Sequence, residues 1–269
     1  MEENKEIIEV KDVIQVDSEL LENISDLVKE KSSATIQALF ADVHSADIAE
    51  IINHSSTANA KYLFEILDTE TASEVIIEID ENLREKILSD IDTQKISDII
   101  EELETDDATD VVSDLPEDVA EIILERMDEE DSEDVKELLK YDEETAGGIM
   151  SSDFIAIKST ETIRAAIREV RNNAEDFEHI YQIYVLDEAE VLLGFVSLKS
   201  LLTHPLKTNI TSVMEEDLLY VTPNLDQEEV ANLMKKYNLV AIPVVDETKV
   251  MIGRITIDDV VDVIQEEAD

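Results

Sequence analysis

The stretch Leu239–Glu267, LVAIPVVDETKVMIGRITIDDVVDVIQEE, is the second use of a pattern that already occurs earlier in the chain. Moved back by 59 positions, from 253 to 194, it lies on IYVLDEAEVLLGFVSLKSLL. Ile242 then falls on Ile183, Asp246 on Asp187, Gly253 on Gly194 and Thr256 on Ser197, with no gap. A slip of one residue would turn every strand side chain to the opposite face. The shared register therefore marks two copies of one supersecondary unit.

Working outward from that stretch, each copy has the same order. In the first, Phe154 to Ile157 alternate as a short strand, and Ile163, Ala166, Ile167 and Val170 form the apolar stripe of an amphipathic helix. Strand IYQIYVL, a turn, strand LLGFVSL and helix SLLTH follow. In the second, Leu218 to Val221 match the first strand, and Val230, Leu233, Met234 and Tyr237 match the stripe. VAIPVV, MIGRITI and a helix from Asp258 complete it. Asn224 with Gln227, and Thr256 with Asp259, have the spacing of helix starts. The order is βαββα twice, and two such small sheets are expected to pack on each other. The first copy is longer around RNNAEDFEH, a difference expected of a surface loop.

Upstream, from residue 18 to 140, apolar clusters recur about every 12 residues: ADIAEII, KYLFEIL, ASEVIIEI, LREKIL, KISDIIEEL, ATDVVSDL, DVAEIILERM and DVKELL. Each is long enough for two or three helical turns, and Pro116 suits the first turn of the helix after it. Helices this short are marginal alone, so they are expected to stack as a superhelical array. No glycine falls within this region. Gly147 and Gly148 follow it, marking a junction at residues 141–152, while Gly194 and Gly253 mark a turn or a close backbone approach in each copy. Only MEENKE at the start reads as frayed.

The charge balance excludes several functions. With 68 acidic against 21 basic residues, a net charge of −47, the chain repels nucleic acid and anionic lipid and attracts small cations. Without cysteine there is neither disulfide nor thiolate site, as in a reducing compartment. No signal peptide and no apolar run of membrane-spanning length is present. His44, His54, His179 and His204 are scattered and read as surface or packing residues. Neither a phosphate loop nor a dinucleotide glycine motif occurs. An enzyme is not expected.

The paired βαββα unit, with its glycine, Ser/Thr and Asp spacing, resembles a tandem CBS module. Preceded by an acidic helical array and the linker YDEETAGGIM, and followed by DQEEVANLM and TIDDVVDVIQEEAD, it resembles the cytosolic region of MgtE-type magnesium transporters. The resemblance implies an α+β multidomain fold: an all-α superhelical domain over 18–140, a linker over 141–152, and a tandem CBS pair over 153–207 and 208–264. Residues 258–269 would begin the helix that connects to a membrane pore domain C-terminal to this chain. It also implies a homodimer through the CBS domains, a place on the cytoplasmic face of the membrane, and a regulatory portion that senses Mg²⁺.

Spacing alone places Asp106 and Asp110 on one helix face, and Asp259 and Asp262 on another. On that basis the plainer reading is favoured, in which these acids cap helices or are simply solvated. The resemblance implies more: Asp106, Asp110, Gly147 through its carbonyl, Glu228, Asp259 and Asp262 fall on Mg²⁺-ligand positions. Asn238 stands where relatives carry an aspartate, which weakens or removes that site. Mg²⁺ takes one or two carboxylates and keeps several waters. CBS clefts also bind ATP or AMP. Thr256 and Asp259 match that pattern, whereas Ser200 replaces the acid in the first copy, implying one nucleotide cleft at most. A scaffold without ligands is the remaining alternative.

Overall fold

A computed structural model describes residues 16–174, 177 and 179–266. The side chains of Glu130, Asp262, Gln265 and Glu266 fall outside that description, as does the MEENKE start. Two compact units are present. Of the described residues, one holds those up to Leu103 with Val111–Arg126, and the other holds Glu104–Asp110 with those from Met127 on.

The first unit is helical. It contains α1 (Ser18–Lys29), α2 (Ser33–Phe40), α3 (Ser45–Asn53), α4 (Thr57–Glu65), α5 (Thr69–Ile77), α6 (Glu81–Leu88) and α7 (Thr93–Ile100). It also contains the end of α8 (Thr105–Ser113) and α9 (Glu117–Arg126). From α3 on, the helices start in a strict register. The residue before each is His44, Ser56, Asp68, Asp80, Asp92, Glu104 and Pro116, every twelfth position. Several of these are true caps. Asp68 accepts from Thr71 N at 3.0 Å and Asp92 from Gln94 N at 2.9 Å, satisfying donors that a helix start leaves open. Pro116 thus sits one position ahead of α9, where its missing N–H is harmless.

Four, seven and eight residues past the cap come the buried side chains: Ile48, Ile51 and Ile52; Ala60, Leu63 and Phe64; Ala72, Val75 and Ile76; Ile96, Ile99 and Ile100. That spacing is one helical face, so each helix lays its stripe on the helix two further along: α3 on α5, α4 on α6, α5 on α7 and α7 on α9. Polar groups stitch the same steps. The Lys95 ammonium donates to the carbonyls of Glu65 and Leu67 at 2.8 Å each, and Arg84 Nε donates to Asp114 at 2.5 Å.

The second unit holds the start of α8 and α10 (Glu129–Leu138), and contains two small sheets. In the first, β1 (Ala156–Lys158) runs parallel to β2 (Gln182–Leu186), which pairs antiparallel with β3 (Leu192–Ser197). Helices α11 (Ile163–Asn172) and α12 (Leu198–Thr203) belong to this copy. The second copy has α13 (Gln227–Tyr237), β4 (Ala241–Val245), β5 (Met251–Thr256) and α14 (Ile257–Glu266). Three expectations need correction here. Leu218–Val221 contributes only one parallel bridge, Val221 to Val244, because only Val221 reaches the core and Pro223 cannot extend the ladder. Asp226, not Asn224, caps α13 through Glu228 N at 2.9 Å. Tyr237 is exposed beneath the Lys236 ammonium, and Ala231 is buried in its place alongside Val230 and Met234.

The two copies exchange their leading segments. Ser151 pairs with Arg254 of β5, the segment ahead of the first copy on the strand of the second. Glu215 pairs with Phe195 of β3, the reverse exchange. Both crossings pass a glycine. A Cβ on Gly253 would lie 2.6 Å from the Ser151 carbonyl oxygen, and one on Gly194 would lie 2.4 Å from that of Glu215. No glycine has positive φ, so close approach and not turn geometry explains the pair. The hairpin turns interlock as well: Leu192 N donates to Lys249 O at 3.0 Å and Met251 N to Glu190 O at 3.3 Å. Residues 141–152 join the same body, with Ala146 and Met150 buried in the core of the second copy beside Val230 and Ile255.

Candidate functional site

Within the second unit, three chain segments bring charge to one place. The first turn of α8 carries Asp106 and Asp107, the first turn of α14 carries Asp258 and Asp259, and β5 delivers Arg254 between them. The start of α14 follows from its sequence. Asp259 accepts from Thr256 N at 2.7 Å, as in a capping box, and the Thr256 hydroxyl donates to Asp258 at 2.6 Å. The start of α8 is unusual, since its cap comes from a distant residue: Asp153 accepts from Thr105 N at 2.8 Å.

Glu104, Asp106, Asp107, Asp258 and Asp259 line one pocket with His179, Arg254 and Thr256. Its volume is about 40 Å³. A single water needs roughly 10–15 Å³, so the pocket has room for several. Five carboxylates here share one guanidinium, and their protonation shows the strain. Burial, then the charges of Asp259, Asp107 and Glu104, holds Asp106 well above the usual carboxylate range. Burial followed by the charge of Asp259 pushes Asp107 up to about 8. Asp259 rises to about 6, chiefly through burial, against the hydrogen bond from Thr256 and the charge of Arg254.

The residues anticipated from sequence divide into two places. Asp106, Asp259 and Thr256 meet in this pocket. Asp110 is exposed one turn along α8 and adds its charge to Asp107 without lining the pocket. Gly147 and Glu228 lie elsewhere, where the chain after α10 pairs with the approach to α13: Gly147 N donates to Pro223 O at 2.8 Å and Gln227 N to Glu144 O at 3.0 Å. Asp262 is on α14, with its side chain outside the described part. Among the described residues, no three His, Cys, Asp or Glu side chains are grouped so as to hold a metal ion together. The pocket's carboxylates offer oxygen donors, suited to a hard cation that keeps its waters. Sequence reading missed Glu104, Asp107, Asp153 and Asp258 as site residues. The cap register would have flagged Glu104, because glutamate is not a capping residue.

A second cavity shares Arg254 and His179 with the first and is otherwise lined by Ile155, Phe177, Ile180, Tyr181, Gln182, Tyr184 and Ala241. Gln182 Nε2 and Tyr184 Oη are buried there without a hydrogen-bond partner among the described residues.

A helical array of twelve-residue period followed by a pair of segment-exchanged βαββα copies defines a CBS-pair protein with an attached helical domain. The family of the MgtE intracellular N domain matches residues 43–144, and that of the CBS domain matches residues 146–207 and 210–266. The chain carries an MgtE intracellular N domain followed by a tandem CBS pair. It is 39% identical over 133 residues to "Magnesium transporter MgtE" of Enterococcus faecalis and 40% identical over 131 residues to that of Thermus thermophilus. Each match covers 49% of this chain and 29% of the relative, so it spans under a third of those proteins. Among solved structures, "the soluble part of a magnesium transporter" matches with TM-score 0.80 and 28% identity over 93% of this chain and 99% of that one. "The cytosolic domain of the Mg2+ channel MgtE in complex with ATP" matches with TM-score 0.84 and 28% identity over 90% and 99%. No described helix is long and apolar enough to cross a membrane.

Proposed function

We propose that this chain is the Mg²⁺-sensing regulatory portion of a magnesium transporter or channel, working on the cytoplasmic side and joined beyond its last helix to a membrane pore domain. Regulation, not catalysis, is its role. The observation that carries this reading is the convergence of Asp106, Asp107, Asp258 and Asp259 on one small pocket with Arg254 as counter-charge. Carboxylates held so close favour either a proton or a cation between them, and a hydrated divalent ion fits the oxygen donors and the space. Asp106 and Asp259 are the primary ligands, supported by Asp110 and Asp262. Gly147 and Glu228 would serve a second ion at the other locus.

Ions that bridge acidic faces favour a compact state of the helical and CBS domains and, in the full protein, a closed pore. Each bridging site adds about 0.8 kcal/mol at three times its Kd. About seven such sites would supply the roughly 5.5 kcal/mol that swings a population from 1:99 to 99:1. A homodimer through the CBS pair carries the two loci twice, about 3.3 kcal/mol in all at three times Kd, a shift of about 250-fold in the population ratio.

Small-angle scattering of the chain in EDTA and in millimolar Mg²⁺ tests the reading. A smaller radius of gyration with Mg²⁺, abolished in the Asp106→Asn/Asp259→Asn double variant, is expected. Identical profiles would overturn it and leave nucleotide sensing or a ligand-free scaffold. A second reading, adenosine-nucleotide sensing, is favoured by the neighbouring cavity with its unpartnered Gln182 and Tyr184 and by the ATP complex of the solved relative. Thr256 and Asp259 would then contact phosphate and ribose. Calorimetric binding of ATP or AMP to the metal-free chain would support it.

A further inference from the structure

We propose that Arg254 is a built-in clasp: it holds the Glu104–Asp110 segment onto the CBS pair without any divalent ion, and so sets how much ion the acidic pocket requires. The second half of this inference rests on the Mg²⁺-sensing reading, whereas the first half does not.

The twelve-residue register puts Glu104 where His44, Ser56, Asp68 and Asp92 cap their helices, but its side chain turns away to Arg254 Nη2 at 2.5 Å. The vacated capping role falls to Asp153, and the buried Thr105 hydroxyl joins Ser151 Oγ at 3.1 Å and accepts from Ser152 N at 2.9 Å. Arg254 organises this junction. Its Nε donates to Asp153 O at 2.7 Å and its Nη1 to His179 O at 3.3 Å, while the guanidinium lies 5.2 Å from the Phe177 ring centroid. One planar fork thereby fixes the α8 start, the segment ahead of β1 and the segment ahead of β2. A lysine cannot reproduce that geometry.

The cation is not required by the strand exchange it sits in. Phe195 occupies the equivalent position of the first copy and makes the same backbone pairing with Glu215. What differs at Arg254 is the partner, an acidic helix start, and its side chain is only 7% exposed against 19% for Glu104. A buried ion pair that loses one partner leaves an uncompensated charge, a strongly unfavourable change. Without the guanidinium, the charge of Glu104 would add to those of the four aspartates that line the pocket.

Hydrogen exchange of the Thr105–Asp110 amides, measured on the full chain in EDTA, tests the clasp through a double-mutant cycle of Arg254→Met and Glu104→Gln. In Arg254→Met these amides are expected to exchange at least about tenfold faster, with the β4 and α13 amides unchanged. In the Glu104→Gln background the same substitution should have a much smaller effect. Unchanged exchange, or effects that add, would overturn the clasp. Should Arg254→Met unfold the CBS pair, Arg254→Lys takes its place in the same cycle, with the same two outcomes deciding. Mg²⁺ is then titrated against wild type and variant, and the midpoint for protecting these amides is expected to rise several-fold in the variant; an unmoved midpoint would overturn the threshold-setting role. A wild-type chain that does not respond to Mg²⁺ refutes the sensing reading and the threshold with it, while the EDTA cycle still decides the clasp.

Discussion

Replacing Asp107 by asparagine is expected to stabilise the metal-free second unit at pH 8, on the order of 1–2 kcal/mol, while weakening its response to Mg²⁺. Asp107 lies in the first turn of α8, half-buried, facing Asp259, Glu104 and Asp258. Burial and these charges raise its carboxyl to about 8, far above the ordinary 3.8. Between those values the folded state holds a proton that the unfolded chain has released. Folded stability from this group is therefore complete below about pH 4 and lost as pH rises through 8. Asp259, raised to about 6, adds a second, narrower loss between 3.8 and 6. In EDTA the second unit should be more stable at pH 5 than at pH 8, and the Asp107→Asn variant should flatten that slope. Thermal unfolding across this range measures it, and a wild-type midpoint that climbs from pH 5 to pH 8 would contradict the geometry. Adding Mg²⁺ at pH 8 should restore what acid restores, because proton and ion relieve the same repulsion. The Asp107→Asn substitution removes the repulsion and with it one of the charges that attract the ion.

Much of this arrangement can be read from the chain. The register linking Gly253 to Gly194 placed both βαββα copies, and the recurrence of apolar clusters placed the helical array, because both patterns come from one-sided burial. Asp106 and Asp259 were paired only through family resemblance, since spacing within a helix says nothing about which distant helix start will face it. Their meeting depends on a long-range exchange: the Ser151–Asp153 segment crosses onto β5 and caps α8. For the same reason Asp153 and Arg254 were not legible as organisers of the site. The failed strand at Leu218–Val221 has a local cause, because Leu219 and Tyr220 are exposed and only Val221 is buried. Glu104 is the missed signal that was available, a glutamate in a column of capping positions.

The exchange also provides a matched pair of substitutions, Gly253→Ala and Gly194→Ala, each expected to destabilise the CBS pair by about 3 kcal/mol. At both sites a methyl group would meet a backbone carbonyl oxygen, 2.6 Å away at Gly253 and 2.4 Å at Gly194, where no side-chain rotation gives relief. Relief requires the crossing segment to move. At Gly253 that segment is Ser151–Asp153, which carries the cap of α8 and accepts the Arg254 Nε bond. At Gly194 it is Glu215, whose backbone pairs with Phe195, remote in sequence from any pocket residue. The two variants should thus lose similar thermal stability but differ in function. Gly253→Ala should expose the Thr105–Asp110 amides and raise the Mg²⁺ midpoint, whereas Gly194→Ala should leave both near wild type at temperatures where it remains folded. Urea unfolding with hydrogen exchange on both variants reads the two effects separately. If Gly194→Ala shifted the Mg²⁺ response as far as Gly253→Ala, the acidic pocket would depend on the stability of the CBS pair in general and not on the segment that crosses beside Arg254.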